Sequence, residues 1–217
     1  MGAADAKSTK NDYQFYRLIM PAFLHAHFEH IFGNVLFQLY LGSGIEHGIG
    51  FFWMAFLYIV TEIGGVLLAI TFHPEAYGVG ASCAGYGLVG FGIAYLFTNW
   101  GFMGRTKEWQ RIYLLSFCFL FFAMNQGLSV NWESHNIGHQ GGLITGILCG
   151  LTITEQYDYN ATSAGRSPDR YTEEDWKDRS CFRNVLCNRC GLIFLILWFI
   201  LLFVLFYTWT DVDIEQN

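Results

Sequence analysis

Long apolar runs, separated by short polar connections, make up most of this chain. The clearest run is 190–209, about 20 residues without a charged side chain, which matches a hydrocarbon core about 30 Å thick. Three further apolar runs are 51–72, 80–100 and 112–130, and two runs diluted by histidine and glycine are 28–45 and 135–154. The pattern predicts an all-α polytopic membrane protein with about six transmembrane helices, which we call spans a to f in chain order.

Composition points to the same class. Of the 217 residues, 53% are hydrophobic, 18% are aromatic and only 14% are charged, whereas soluble domains carry about 25% charged residues. The charges, with a net value of −6, lie mostly in loops and tails, and the sequence has no basic patch of the kind that binds nucleic acid. The expected surroundings are therefore a lipid bilayer, and no nucleic-acid partner is expected.

Positive charges predict the orientation of the spans. The connection between spans c and d holds three Lys or Arg residues and the loop between e and f holds six, whereas the opposite loops at 73–78 and 129–134 hold none. Because cytoplasmic loops are enriched in Lys and Arg, both basic loops are expected to face the cytosol and both termini the outside. The basic residues near the N-terminus, Lys7, Lys10 and Arg17, run against this assignment.

Three cysteines, Cys181, Cys187 and Cys190, lie at the predicted cytosolic edge of span f, where disulfides do not persist. A structural zinc site needs four ligands, and three thiols without a nearby histidine do not supply them, so no metal is expected. Palmitoylation of these cysteines and unmodified thiols both remain open. A glycosylation sequon at 160–162 falls in the same predicted cytosolic loop, so a glycan there would invert the topology.

Polar side chains inside the spans gather at one depth. Span a carries His30 and Asn34 near its outer end, and span c carries Ser82 and Tyr86. The members of each pair are four residues apart, so they share one face of a helix. Span e carries His139 about one turn in from the same surface. Because intramembrane polar residues are costly and mark functional sites, this layer is a candidate site.

Small residues explain how these spans could approach one another. Three glycines at helical spacing follow His139 on span e: Gly142, Gly146 and Gly150. Span c offers Ala81 and Gly85 at a matching spacing, and such stripes bring helix backbones into contact. Taken singly, a serine in a membrane helix usually bonds its own backbone, and a glycine stripe indicates only packing. The joint placement of the serine, the histidine and the glycines favours a functional site over helix packing alone.

The segment before and within span a resembles the rhomboid family. The stretch YRLIMPAFLHAHFEHIFGN resembles the family's Arg-containing loop followed by H-x4-H-x3-N, with His25, His30 and Asn34 on the motif positions. The segment from Gly42 to Glu46 resembles the G-x3-E element that follows.

Two later segments extend the resemblance. GVGASCAGY at 78–86 resembles the nucleophile motif G-x-S with a tyrosine four residues on, and GHQGGLITG at 138–146 resembles the segment of the catalytic histidine. Together the motifs cover most of residues 15–155, in the family's order. The chain thus resembles a rhomboid intramembrane serine protease.

The resemblance implies a role for each matched residue. Ser82 would be the nucleophile and His139 its general base, without a third carboxylate. The supporting residues would be His30 and Asn34 in an oxyanion hole with the Ser82 N–H, Tyr86 against the His139 ring, and Gly80, which leaves backbone room beside the nucleophile. Structural roles would fall to Arg17, Glu46, Gly142 and Gly146. The implied substrates are single transmembrane helices that unwind near the outer face, and no cofactor is implied.

The resemblance also divides the chain. It implies an N-terminal segment with the end of a luminal or extracellular loop at 1–27, a five-span rhomboid core at 28–155, a cytosolic loop at 156–189, an additional C-terminal helix at 190–209 and an acidic tail at 210–217. The additional helix resembles the 6+1 arrangement of eukaryotic secretory-pathway members. A multi-pass protein of that pathway or of the plasma membrane is therefore expected, with its compartment and oligomeric state open.

Three features depart from the family pattern. Tyr16 stands where the family has Trp, and Cys83 follows Ser82 where many relatives have glycine or another small residue. Only about 14 largely hydrophilic residues precede the Arg-containing loop, where rhomboids have a first core helix. A truncated chain or an incomplete gene model would account for that difference and for the basic N-terminal residues.

Two other functions stay open at this point. A catalytically inactive rhomboid relative that binds membrane clients would typically lack the serine or the histidine, and this chain keeps both. A channel or proton-coupled transporter would carry acidic residues deep in the bundle and repeat symmetry. Only Glu62 lies in the middle of a span, and the sequence shows no convincing repeat.

Overall fold

The computed structural model describes residues 2–100, 108–128, 133–154 and 181–210. The helices in chain order are α1 (Ala6–Asn11), α2 (Phe28–Ile49), α3 (Phe51–Phe72), α4 (Ser82–Thr98), α5 (Glu108–Leu128), α6 (Glu133–Ile153) and α7 (Cys181–Trp209). Two short 3-10 helices, Phe15–Leu18 and Met20–Phe23, connect α1 to α2. The described residues form no β-strand and only one isolated bridge, so the predicted all-α class is confirmed.

Each predicted span coincides with one of the helices α2 to α7, with differences at the ends. Helix α2 continues to Ile49, where Gly50 at φ +83° ends it and α3 begins at the next residue. Helix α7 begins at Cys181 rather than at residue 190, because a helix can continue past its apolar segment into polar sequence. The basic connection at 101–107, the sequon at 160–162 and the tail from 211 lie outside the described residues.

Two of the described helices are long and apolar enough to cross a membrane on composition alone. They are α3 and the part of α7 at Asn188–Trp209, and α4 is apolar but has only 17 residues. Helices α2 and α6 contain the histidines and glycines that lower mean hydropathy, as the sequence pattern indicated. A membrane assignment for those two helices therefore depends on the fold in which they sit rather than on their own hydropathy.

Helices α4 and α6 meet backbone to backbone at the centre of the bundle. A Cβ atom on Gly142 would overlap the carbonyl oxygen of Cys83, and one on Gly146 would overlap the carbonyl oxygen of Gly87. The prediction that glycines bring these helices together is confirmed, but the assignment of Gly85 to the contact is wrong. Gly85 faces the ring of Phe37 on α2, because a helix turns 100° per residue and positions 83 and 87 occupy the other face.

Helices α3 and α7 complete the packing around α6. A Cβ on Gly64 of α3 would overlap the Thr145 hydroxyl on α6, so these two helices are also in close contact. The indole N–H of Trp198 on α7 donates a hydrogen bond of 2.9 Å to the same hydroxyl group. The Thr145 hydroxyl donates in turn to the carbonyl of Gly141 within α6, so one buried threonine links three helices.

Helix α2 lies at the edge of this bundle. Leu41 and Gly42 are its only buried residues, and a row of large apolar side chains is exposed on it. Helix α7 exposes a similar apolar face. Exposed apolar helix faces of this size suit contact with lipid chains, which solvate apolar side chains as well as a protein interior does.

The N-terminal segment packs against the bundle. Asp5 caps α1 through its side chain, which accepts hydrogen bonds from Lys7 N–H and Ser8 N–H. Ala4 pairs with Gly78 in the loop before α4 through two backbone hydrogen bonds, of 2.8 and 3.2 Å. The sequence pattern indicated only a hydrophilic stretch here, so this docking was missed.

Candidate active site

The loop before α4 places Ser82 at the first position of that helix. Gly80 has φ +125°, a conformation that L side chains rarely adopt, and its N–H donates to the Pro21 carbonyl at 2.9 Å. A Cβ on Gly80 would lie 2.5 Å from Cε1 of His30. The space that a side chain would need at Gly80 is therefore occupied by the His30 ring.

Ser82 and His139 are joined across the seam between α4 and α6. The distance from His139 Nε2 to Ser82 Oγ is 2.9 Å, which is a normal hydrogen-bond length. Both residues are partly buried. The backbone contact at Gly142 lies one helical turn beyond His139, against the residue that follows Ser82. Any widening of the seam would therefore lengthen the Ser82–His139 distance.

Tyr86 lies flat on the imidazole of His139. The two ring centroids are 4.2 Å apart, and the ring planes differ by 11°. Tyr86 is itself buried, at 5% exposure, so its ring is held by the packing around it. The stack restricts rotation of the imidazole about its side-chain bonds and keeps Nε2 directed at Ser82.

His30 reaches the loop before Ser82 from α2. The His30 ring lies against Gly80, two residues before Ser82, and Asn34 follows one turn later on the helix. The side-chain Nδ2 of Asn34 is buried and has no hydrogen-bond partner among the described residues. A buried donor without a partner is costly, and a ligand with a developing negative charge would satisfy it.

The residues assigned structural roles lie away from Ser82 or act through packing. Arg17 donates from Nη1 to the Ala3 carbonyl at 2.9 Å and from Nε to Gln14 Oε1 at 2.7 Å, so it holds the N-terminal segment. Glu46 is exposed near the end of α2, where its carbonyl accepts the Gly50 N–H. Gly142 and Gly146 form the seam described above.

Two further histidines lie next to His30. The ring centroids of His25 and His30 are 5.0 Å apart in an edge-to-face arrangement, and His27 caps α2 by accepting the His30 N–H at 3.3 Å. Burial lowers the pKa of His25 below its ordinary value of 6.5. Within the described ranges, no three His, Cys, Asp or Glu side chains are grouped so that they could hold a metal ion.

A cleft opens beside Ser82. Its lining includes Ala4 from the N-terminal segment, Tyr77 and Gly80 from the loop, Ser82 from α4 and Gly138 from α6. Ser82 therefore borders a cleft formed by the N-terminal segment, the loop before α4 and helices α3 and α6.

Two polar residues near Ser82 were missed as site residues. Glu62 on α3 accepts the N–H of Ala84, and Gln38 on α2 donates to the carbonyl of Ala81. Glu62 was visible in the sequence as an acidic residue in mid-span, but hydropathy gives depth and not the direction in which a side chain lies. No sequence signal joined either residue to Ser82.

Comparison with known proteins assigns the chain to a family. The model of the Rhomboid domain matches residues 12–156, which covers all the motifs considered above. Rhomboid-like protease 1 of Toxoplasma gondii is 37% identical over 148 residues, covering 66% of this chain and 48% of the relative. RHOMBOID-like protein 2 of Arabidopsis thaliana is 30% identical over 176 residues, covering 79% of this chain and 54% of the relative.

A third relative is named as mitochondrial. RHOMBOID-like protein 6, mitochondrial, of Arabidopsis thaliana is 31% identical over 156 residues, covering 72% of this chain and 49% of the relative. The chain spans about half the length of the curated relatives it matches. With the family model covering most of its length, this chain belongs to the rhomboid family of integral membrane proteins.

Proposed function

We propose that this chain is an intramembrane serine endopeptidase that uses Ser82 and His139 as a catalytic dyad. The observation that supports it best is the 2.9 Å hydrogen bond between His139 Nε2 and Ser82 Oγ, which joins two helices in backbone contact. Rhomboids are typically serine proteases of this kind. A serine hydroxyl needs an adjacent base to become nucleophilic, and an oriented imidazole supplies one.

The reaction follows from this geometry in two steps. In the first, Ser82 Oγ attacks the peptide carbonyl carbon while its proton passes to His139 Nε2, and the imidazolium then protonates the leaving amine as the C–N bond breaks. In the second, His139 takes a proton from water while the water oxygen attacks the carbonyl carbon of the acyl-serine ester. The imidazolium then returns the proton to Ser82 Oγ as the ester C–O bond breaks and the acid product leaves. The Tyr86 stack takes over the orienting role that a third carboxylate has in other serine proteases.

The developing oxyanion needs donors that are fixed before the reaction. His30, Asn34 and the backbone N–H of Ser82 are the proposed donors, and the unpartnered Nδ2 of Asn34 is available for this role. Loss of one such donor typically costs about 3 kcal/mol of transition-state stabilisation. We therefore expect Asn34→Ala to lower kcat by about 100-fold while the dyad hydrogen bond persists.

The proposed substrates are single transmembrane helices that unwind locally beside Ser82. A helix hides its carbonyl groups in internal hydrogen bonds, so the bond to be cut must lie where the helix opens, and small or helix-destabilising residues would favour this. The cleft beside Ser82 is lined by the backbone of Gly78 and Gly80, which an extended peptide can approach closely. The lipid bilayer is the expected medium for enzyme and substrate.

The test is cleavage of a single-span substrate by the purified chain in liposomes. Wild type should cleave, and Ser82→Ala and His139→Ala should each lose cleavage and labelling of residue 82 by a fluorophosphonate. Ser43→Ala and His47→Ala are matched controls, because both residues are exposed on α2 and should leave the rate unchanged. Cleavage that persists in Ser82→Ala contradicts the mechanism. A wild type that neither cleaves nor reacts with fluorophosphonate contradicts it as well and supports the client-binding alternative.

A further inference from the structure

Glu62 is a carboxyl side chain that is completely buried in the middle of α3. Its exposure is 0%, and it lies on one of the helices that are apolar enough to cross a membrane. Burying such a group is expensive unless a hydrogen bond compensates. The position therefore needs a reason, and the contacts of the carboxyl group provide one.

The carboxyl group binds the first turn of α4. Its Oε2 accepts the backbone N–H of Ala84 at 3.0 Å, and Ala84 follows Ser82 by two residues. Helix α4 has Ala81 at its N-cap position, with no side-chain capping bond, so Glu62 satisfies from a neighbouring helix an N–H that a local cap would normally satisfy. Among the described residues, Oε1 of Glu62 has no hydrogen-bond partner, so this contact is the one that can account for the buried carboxyl group.

A second side chain holds the peptide on the other side of Ser82. Gln38 donates from Nε2 to the carbonyl oxygen of Ala81 at 3.4 Å, and Tyr58 donates its hydroxyl to Gln38 Oε1 at 3.3 Å. Tyr58 lies one helical turn before Glu62 on α3. The buried Glu62 and the half-buried Gln38, from different helices, thus bind the backbone on either side of Ser82.

The helix backbones leave little freedom at this turn. A Cβ on Gly65 of α3 would lie 2.6 Å from Cβ of Cys83, so α3 touches the residue next to Ser82. Glu62 therefore reaches Ala84 across a short and fixed distance. With the Ala84 N–H bound by Glu62, the amides of Ser82 and Cys83 are the other two N–H groups of the first turn of α4.

We propose that Glu62 is a positioning residue that fixes the first turn of α4, and with it Ser82 and the amides beside it, by accepting the Ala84 N–H. The inference rests on the proposed protease function. What this role requires is a hydrogen-bond acceptor at this place, which a glutamine carbonyl also supplies. An apolar side chain of similar size does not supply it.

The experiment compares Glu62→Leu and Glu62→Gln in the purified full chain in liposomes. Thr61→Val is the matched control, because Thr61 is equally buried on the same helix and its hydroxyl bonds only its own helix. Three quantities are measured: the rate of fluorophosphonate labelling at Ser82, kcat and KM on a single-span substrate, and the midpoint of thermal unfolding. The labelling rate reports on the nucleophile without requiring a transmembrane substrate to bind.

Glu62→Leu should lower the labelling rate and kcat by about 10- to 100-fold, as expected for a small displacement of a catalytic group, with KM changed by less than about 2-fold. Glu62→Gln should restore both rates to within about 3-fold of wild type, since it keeps the acceptor. Thr61→Val should match wild type. If Glu62→Leu does not fold, the unbranched Glu62→Met takes its place.

The failures of the two proposals are distinguishable. Wild-type labelling and kcat in a folded Glu62→Leu or Glu62→Met protein overturn the positioning role and leave the protease function intact. Equal loss in the Leu and Gln variants also overturns it, because an acceptor alone is then insufficient. A wild type whose Ser82 does not react, or a Ser82→Ala protein that cleaves, removes the protease function and this inference with it.

Discussion

The two halves of the site are built on helices that are packed in different ways. Helices α4 and α6, which carry Ser82 and His139, touch backbone to backbone at Gly142 and Gly146. Helix α2, which carries His30 and Asn34, meets its neighbours through side chains, and Cβ atoms on three of its glycines would have nothing within 4 Å: Gly33, Gly44 and Gly48. A backbone contact cannot relax by a change of rotamer, whereas a side-chain contact can. The proposed dyad is therefore held rigidly, and the two proposed side-chain donors to the oxyanion, His30 and Asn34, sit on the more adjustable helix.

The largest effect is expected from a methyl group in the seam. In Gly142→Ala the new Cβ would overlap the Cys83 carbonyl, so α4 and α6 must separate and the Ser82–His139 hydrogen bond lengthens. Overpacking of this kind costs about 1–3 kcal/mol, and a displacement near 1 Å costs roughly 100-fold in rate. Cleavage assays and thermal unfolding should both show the loss.

Gly44→Ala is the matched control on α2. A Cβ there has nothing within 4 Å, so cleavage and unfolding should remain close to wild type. Equal losses in Gly44→Ala and Gly142→Ala would show that α2 is packed as rigidly as the contact between α4 and α6.

A smaller loss of activity is expected from a substitution at Gly80, where the loop before Ser82 meets α2. In Gly80→Ala the residue keeps an unfavourable φ, which costs about 1–3 kcal/mol, and its Cβ pushes on the His30 ring. Because α2 can yield, we expect kcat to fall by roughly 10-fold, less than in Gly142→Ala, and the fluorophosphonate labelling rate to fall with it. A loss as deep as that of Gly142→Ala would mean that α2 is as rigid as the seam.

The stacking of Tyr86 on the His139 imidazole should contribute less to kcat than the Gly80 contact does. Tyr86→Leu removes the ring contact with His139, which is worth about 0.5–1.5 kcal/mol, so kcat should fall by roughly 3- to 10-fold with KM unchanged. Tyr86→Phe keeps the ring and serves as the control. If the Leu and Phe variants have the same kcat, the stack does not orient the histidine.

The smallest expected effect is on the pH dependence of thermal stability, and it comes from His25, just before α2. Burial lowers the pKa of His25 below 6.5, so the neutral form is favoured in the folded protein and charging it costs folding free energy. This contribution is present above the unfolded pKa and is lost as the pH falls through it. Wild type should therefore lose more thermal stability between about pH 7.5 and about pH 5 than His25→Phe does. Parallel pH profiles of the two proteins would contradict this.

The helices and the layer of polar residues were predictable from the sequence because both depend on local pattern. Apolar runs located α2 to α7, and spacing by four grouped His30 with Asn34 and Ser82 with Tyr86. The rotation of each helix about its axis depends on partners distant in sequence, so Gly85 was assigned to the wrong face. For the same reason Glu62 was recognised as unusual in depth, while its bond to Ala84, 22 residues away, was not foreseen.

The N-terminal docking was missed for a different reason. The pairing of Ala4 with Gly78 uses backbone groups only, and backbone groups are the same at every residue. A pattern of side chains carries no information on such a contact.

The end of α7 meets the end of α3, and this contact relates the C-terminal end of α7 to the loop before Ser82. The Thr210 hydroxyl donates to the Thr71 carbonyl at 3.3 Å, and Lys10 donates to the Thr210 carbonyl at 2.6 Å. This contact places residue 210 at the same end of the helix bundle as the loop that leads from α3 to Ser82. A membrane-impermeant label on a cysteine placed at position 210 would report which aqueous phase the Ser82 end of the bundle faces.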